Sequence, residues 1–448
     1  MIARRIGAAA LAITISGCAV SRTAGHRDVA RLVADQLGEP THWDNGSPED
    51  EEVARVVGDL LRTPLTRERA VEIALVNNRR LQATYEELGV SQADMVQAGL
   101  LKNPSLSGAL GFPFGAGQLE IEGTLVWDFL QFFTLPLRKK VARQQFDVDI
   151  LRVAHEALEV AAETEKAFAE TQAQEQLVAF QLSVAQTAHA VAELSDRLYE
   201  AGNITDMAHD TQTAMYQQAR LDFDRQVLQR QNARERTNRL LGLWGTQTGW
   251  TVAGPLDELP KGELATEHLE QLAIRQRLDV DAARKQVALL TTALALAKDF
   301  WLFGQVEVGA QARQDPEGPH TLGPSLTLEL PIFDQRQAAI AKLEAQRRAA
   351  ERRLEEVSVD ARSEVRAAQL AVETSRRLAD NYQAVLVPLR DRIVTEAQLQ
   401  YNGMLIGPYQ LLAAKRDQIE AHRGYVEALR DYWMERAELQ RVVGGRIR

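Results

Sequence analysis

The chain has 448 residues, 45% hydrophobic and 25% charged, with only 14 prolines and 28 glycines, the make-up of a helix-rich foldable protein. Its formal net charge of -10, with no polybasic face, argues against a general nucleic-acid binder, because such proteins neutralise phosphates with clustered Lys and Arg. A single cysteine excludes any disulfide within the chain.

Residues 1–17 read as an export signal, since Arg4 and Arg5 precede an apolar run from Ile6 to Ile15 that is too short to span a bilayer. The run ends in Ile15-Ser16-Gly17-Cys18, similar to the lipobox of bacterial lipoproteins. That resemblance makes Cys18 the lipidated first residue of the mature protein, and Ala19 after it favours delivery to the outer membrane; the alternative is a buried thiol. Residues 18–64 form a lead-in from the lipid anchor, with helical patterns over Val29–Leu37 and Glu51–Leu61.

From Leu65 onward the chain says everything twice, in residues 65–260 and 261–448. Ala74, Asn78 and Leu81 answer Ala273, Arg277 and Val280, and the segment from Ser105 answers that from Gly304. A period of about 200 residues is a duplicated domain half rather than a solenoid unit.

Each half carries two short alternating segments, at about 104–128 and about 302–331. Leu119, Ile121, Leu125 and Trp127 point one way, and Gln118, Glu120, Glu122 and Thr124 the other. In the second half Val306, Val308, Ala310 and Ala312 oppose Gln305, Glu307, Gln311 and Arg313, while Leu322, Leu326, Leu328 and Leu330 oppose Ser325, Thr327 and Glu329. The loops Phe112–Gly117 and Asp315–His320 make each pair a hairpin. A half-buried soluble sheet alternates in the same way. No run of 18 apolar residues follows the signal, so any membrane span must be a β-barrel. Four strands are too few to close a barrel, which needs about eight, so the barrel reading requires several chains.

Long helices follow, from about Leu137 to Ala201 and from about Gln335 to Val387, where proline is absent and glycine almost so. Roughly 60 residues at about 1.5 Å each reach on the order of 90 Å. Ala338, Ala341, Ala345, Ala349 and Ala350 predict close helix packing. Lone glycines, Gly202 and Gly403, mark the tips where each helical hairpin turns back.

Enzyme signatures are absent: no Walker loop, no G-x-S-x-G elbow, no H-E-x-x-H. The eight histidines are scattered and the six methionines do not cluster, so no metal site and no cofactor is expected.

Together these residues resemble the TolC-like outer-membrane efflux proteins. The motifs are Leu65-Thr66 with Ala70, Ala74 and Asn78; Gln97-Ala98-Gly99-Leu100; Asn103-Pro104-Ser105-Leu106; Gly323-Pro324-Ser325-Leu326; Leu330-Pro331-Ile332-Phe333-Asp334; and Tyr401-Asn402-Gly403. The fold this implies is mainly α with a small membrane β portion: a long α-helical coiled-coil barrel plus four β-strands per chain, contributing to a twelve-stranded β-barrel in a homotrimer. The function it implies is the outer-membrane exit duct of a tripartite efflux pump, with a periplasmic adaptor and an inner-membrane transporter of the RND type as partners. By position, the adaptor-contact tips are Gly202, Asn203, Ile204 and Thr205, and Gly403, Met404, Leu405 and Ile406; plain helix reversal is the alternative. Family members carry acidic residues just past the second tip glycine, whereas Tyr409, Gln410 and Leu412 stand here, so Asp206 and Asp210 of the first hairpin join Tyr409 as gate candidates. Glu120, Glu122, Glu307 and Glu329 would line the pore and favour cations. A non-conducting envelope scaffold or adaptor lipoprotein is the alternative function, and the cargo stays open between metal ions and other small molecules.

Overall fold

The computed structural model describes residues 21, 23–112, 120–262, 268–300, 306–314 and 320–447. The signal segment, Cys18 and both hairpin loops other than Phe112 and His320 lie outside them. No helix among the described residues is long and apolar enough to cross a membrane.

The lead-in forms two helices, α1 (His26–Leu37) and α2 (Pro48–Leu61). Helices α3 (Arg67–Asn77) and α4 (Arg79–Ala98) then run into strands β1 (Ser105–Gly111) and β2 (Glu120–Asp128), followed by the long α5 (Gln131–Glu200) and its return, α6 (Asp206–Leu241). The second half has α7 (Leu269–Gln276), α8 (Leu278–Asp299), β3 (Val306–Gln314) and β4 (His320–Leu328). It continues through α9 (Gln337–Asn381), a π-helical turn (Tyr382–Leu386), α10 (Val387–Asn402) and α11 (Pro408–Val443).

The helix starts and breaks have local causes. Thr66 caps α3, its Oγ1 accepting from the Arg69 N–H at 3.4 Å. Leu65, just before it, makes a short parallel bridge to the segment around Val252, its N–H donating to the Thr251 carbonyl at 2.8 Å. Asn78 leaves the helix at ψ 122° with its N–H on the Ala74 carbonyl, and Arg277 leaves at ψ 125° with its N–H on the Ala273 carbonyl. Both side chains then reach a helix end: Asn78 Nδ2 donates to the Leu240 carbonyl at 2.7 Å, and Arg277 Nη1 to that of Val442 at 3.3 Å. The left-handed glycines Gly242 (φ 68°) and Gly444 (φ 92°) end α6 and α11 against these two breaks.

The chain divides into two compact units. One is built on Asp28–Tyr85, Val153–Val280 and Val357–Arg448, and its core is aliphatic with small residues between helices. Leu269, Ala273, Val365, Ala368, Tyr432 and Leu439 form one cluster, and Ala169, Ala173, Leu177, Leu256, Val426 and Leu429 another. Buried Phe168 stacks on Trp250 at 6.2 Å, and the indole Nε1 donates to Asn238 Oδ1 at 2.8 Å, so the ring's polar end is satisfied. The other unit, from Glu86–Arg152 and Asp281–Glu356, carries the sheet. Of the five alanines expected to pack closely there, only Ala350 is buried; Ala338, Ala341, Ala345 and Ala349 are exposed, which corrects that expectation for the single chain.

Two long helices depart from their predicted limits. α5 starts at Gln131, six residues before Leu137, and takes in Pro136. Asp128 organises this start, accepting from the Leu130 N–H at 3.2 Å and from Gln131 Nε2 at 2.8 Å. In the second half the helix does not stop at Val387. Pro388 has no N–H and its ring would crowd the carbonyl four residues back. The π turn absorbs this, with the Val387 N–H bonding the Tyr382 carbonyl, and helix resumes to Asn402.

Candidate functional site

The four strands form one antiparallel sheet in the order β1-β2-β3-β4, which leaves β1 and β4 as edges. Pairs Leu106↔Leu125, Leu110↔Ile121, Trp127↔Val308 and Val308↔Leu326 put the large apolar side chains on one face. That face is bare: Leu106 is 79% exposed, Leu322 80% and Leu326 71%. Aromatic rings gather at its helical end, where Trp127 meets Phe132 edge-on at 5.7 Å and Phe129 meets Phe133 at 5.6 Å.

The opposite face carries Glu120, Glu122, Thr124 and Asp128 against Arg313, Gln311 and Glu307. Arg313 pairs with Glu120, and Gln311 donates to Glu122. Asp128 stands directly across from Glu307. Of the four pore-lining candidates, three therefore share this face, and Glu329 lies one residue past the end of β4. The guanidinium of Arg313 offsets one carboxylate, a compensation that requires knowledge of the β2–β3 register.

At the first helical tip, Gly202 takes the left-handed conformation (φ 71°), with its N–H on the Tyr199 carbonyl and the Asn203 N–H on that of Leu198. Thr205 caps α6, accepting from the Ala208 N–H at 3.3 Å. The second tip has the same bonding, from the Met404 N–H to the Tyr401 carbonyl and from the Leu405 N–H to that of Gln400. Here the left-handed residue is Met404 (φ 58°), while Gly403 has φ -80°. The tip glycine of the second hairpin is thus not the turning residue, and Gly202 corresponds to Met404 rather than to Gly403. Met404 is 93% exposed, Leu405 is exposed beside it, and Ile204 and Ile406 are half-buried.

The two tips differ in charge. The Asp206 carboxylate beside the Tyr199 hydroxyl raises the pKa of that phenol. His209 Nε2 lies 2.8 Å from Asp196 Oδ1, and its ring stacks on Tyr199 at 4.6 Å. The Asp196 hydrogen bond, helped by Asp210 at 3.4 Å, raises the His209 pKa above its ordinary 6.5. Asp206 and Asp210 are therefore members of one cluster with Asp196, Tyr199 and His209, and these last three were missed in the sequence because 13 residues separate His209 from Asp196. Tyr409 lies elsewhere, in a cleft of about 460 Å³ lined by Val184, Met215, Ala219 and Leu412. Among the described residues no group of three or more His, Cys, Asp or Glu could hold a metal ion.

A sheet with one bare apolar face and one charged face, carried on paired long helices, has the fold of TolC-like outer-membrane channels. The solved structures similar to it include the CmeC outer membrane channel of Campylobacter jejuni, 14% identical over 85% of this chain and 85% of that one, with a TM-score of 0.72. The open state of the MtrE outer membrane channel of Neisseria gonorrhoeae is 17% identical over 84% of this chain and 88% of its own, at 0.65. A membrane protein from Pseudomonas aeruginosa is 20% identical over 85% and 90%, at 0.71. No family model matches the sequence, and no curated protein matches it. At these identities the likeness is one of fold.

Proposed function

We propose that the protein is the outer-membrane exit duct of a tripartite efflux pump, a passive conduit without chemistry of its own. One observation carries this reading: the four strands place their leucines, Ile121 and Trp127 on a single bare face and their charged side chains on the other, where Val126 is the one large aliphatic residue. Water does not reward such a face, whereas a barrel wall in lipid requires it. Residues 65–260 and 261–448 act as two TolC-like repeats, residues 18–64 lead in from a lipid on Cys18, and three chains close the barrel.

The tips, Gly202 to Thr205 and Gly403 to Ile406, meet a periplasmic adaptor, through which an inner-membrane transporter delivers cargo. The apolar Met404 and Leu405 suit an apolar partner surface. Asp206 and Asp210 supply carboxylates at the first tip, and Tyr409 stands in a separate cleft. Glu122, Glu307 and Asp128 leave the inner sheet face net negative after Arg313 offsets Glu120, which favours cations.

Conductance of the purified full chain in a planar bilayer tests the reading. Discrete channels that prefer cations, with the preference reduced in Glu122→Gln, are expected. A protein that never conducts, under any condition of salt or voltage, overturns the duct and favours an envelope scaffold.

A further inference from the structure

Beneath the sheet, in the unit that carries it, lies a cavity of about 430 Å³ that the duct reading does not use. Its walls come from the first turns of α5, the last turns of α8 and the start of α9. Among the described residues three cationic side chains line it, Lys102, Arg138 and Arg336. Asp128 is the one carboxylate among those lining residues, and both its oxygens are already engaged, by the Leu130 N–H and by Gln131 Nε2.

Arg138 is the unusual member. Its Nε and Nη2 are shut off from solvent and have no hydrogen-bond partner. Leaving buried donors of a charged group unmet costs free energy, so such a guanidinium is a site waiting for an oxyanion that accepts two parallel hydrogen bonds. A second, independent feature points to the same place. Arg336 is one of three non-glycine residues of the described chain with a left-handed backbone, at φ 58°, immediately before α9. Such strain gathers where a ligand or a switch needs a side chain held in one place. The rest of the lining, including Leu130, Leu296, Phe300 and Leu343, is apolar.

The cavity shares its lining with the charged side of the sheet. Gln131, Thr134 and Arg138 line it at i, i+3 and i+7 of α5, the face opposite the exposed Phe132 and Phe133, and Asp128 belongs to the charged sheet face.

We infer that this cavity binds the oxyanion head of an organic anion with an apolar body, clamped by Arg138 with support from Lys102 and Arg336. Its place on the conduit side rests on the duct reading; the binding itself does not. The conduit then holds a cationic station below a carboxylate-rich sheet face, so that an amphiphilic anion dwells there before passing.

The test uses 2-naphthoate as probe and the full chain in detergent, with equilibrium dialysis read by the probe's own fluorescence. One saturable site per chain is expected, weakened about tenfold in Arg138→Gln, with far-UV circular dichroism and thermal midpoint unchanged. Lys102→Gln, which keeps the clamp, should weaken binding several-fold and decides the question if Arg138→Gln does not fold. Equal affinity in the wild type and the variants, or equal uptake of the 2-naphthylmethylammonium cation, overturns the inference. In planar bilayers 2-naphthoate should block the wild-type current at about a tenth of the concentration needed for Arg138→Gln. Arg138-sensitive binding in a protein that conducts nothing upholds the cavity and overturns the duct.

Discussion

Glu438 shows how individual charges hold the helical unit together. Burial alone would raise its pKa, but hydrogen bonds from Arg441 and Lys166 more than reverse this and hold it at about 2, against an ordinary 4.5. Arg441 in turn reaches Glu159 at 2.7 Å, so α5 and α11 are tied by one network. A carboxyl whose folded pKa is depressed contributes stability that is complete above its unfolded pKa and disappears as pH falls through the folded value. The contribution here is therefore full above about pH 4.5 and gone near pH 2. The Glu438→Gln variant should be less stable than wild type by roughly 2–3 kcal/mol at pH 7, with the gap closing between pH 4.5 and 2. Denaturant unfolding at a series of pH values measures this. A gap that stays constant down to pH 2 would mean that Glu438 acts through shape and not charge.

At the scale of elements, three of the left-handed glycines that end helices, Gly202, Gly242 and Gly444, rank themselves by what surrounds them. A Cβ at Gly242 would stand 2.2 Å from the Asn77 carbonyl oxygen, one at Gly444 3.1 Å from the Arg277 nitrogen, and one at Gly202 would meet nothing within 4 Å. The backbone penalty alone is about 1 kcal/mol, so Gly202→Ala should cost that much, Gly444→Ala more, and Gly242→Ala upward of about 2 kcal/mol. Thermal unfolding of the three variants gives the order, and a Gly202→Ala as damaging as Gly242→Ala would contradict it. The same comparison shows what sequence can reveal about such elements. Period-two alternation predicted the strands and their faces because a pleated sheet forces it, and Gly202 announced its turn through its own chemistry. Met404 did not, since the neighbouring Gly403 offers the obvious left-handed residue and only the bonding of Leu405 to Gln400 shows that the turn falls one position later. Nor did the π turn at Tyr382–Leu386, because a proline reads as a helix end until the preceding turn is seen to widen around it. The cavity around Arg138 depends on which helices lie together, and the pairing of Arg313 with Glu120 on which strand lies beside which, information no local pattern contains.

For the whole molecule, the proposed barrel turns the two sheet edges into a constraint on the number of chains. β1 and β4 present unpaired backbone groups, which lipid does not tolerate, so within a bilayer β4 of one copy must pair with β1 of the next. The described residues of one chain give four strands, too few to close. Two would give eight, a barrel whose interior is just filled by its own side chains. Here those side chains include Glu120, Glu122, Gln311 and Arg313, so an eight-stranded barrel would be plugged and could conduct nothing. Three chains are the smallest number that closes the sheet and leaves a lumen. The exposed Ala338, Ala341, Ala345 and Ala349 of α9 fit this, since small residues let a neighbouring helix approach closely. Light scattering of the detergent-solubilised protein, corrected for bound detergent, should therefore give three times the mass that denaturing mass spectrometry gives for one chain. A dimer would keep a barrel and remove the duct, and a monomer would remove both, because the bare apolar face would then have to find some other cover.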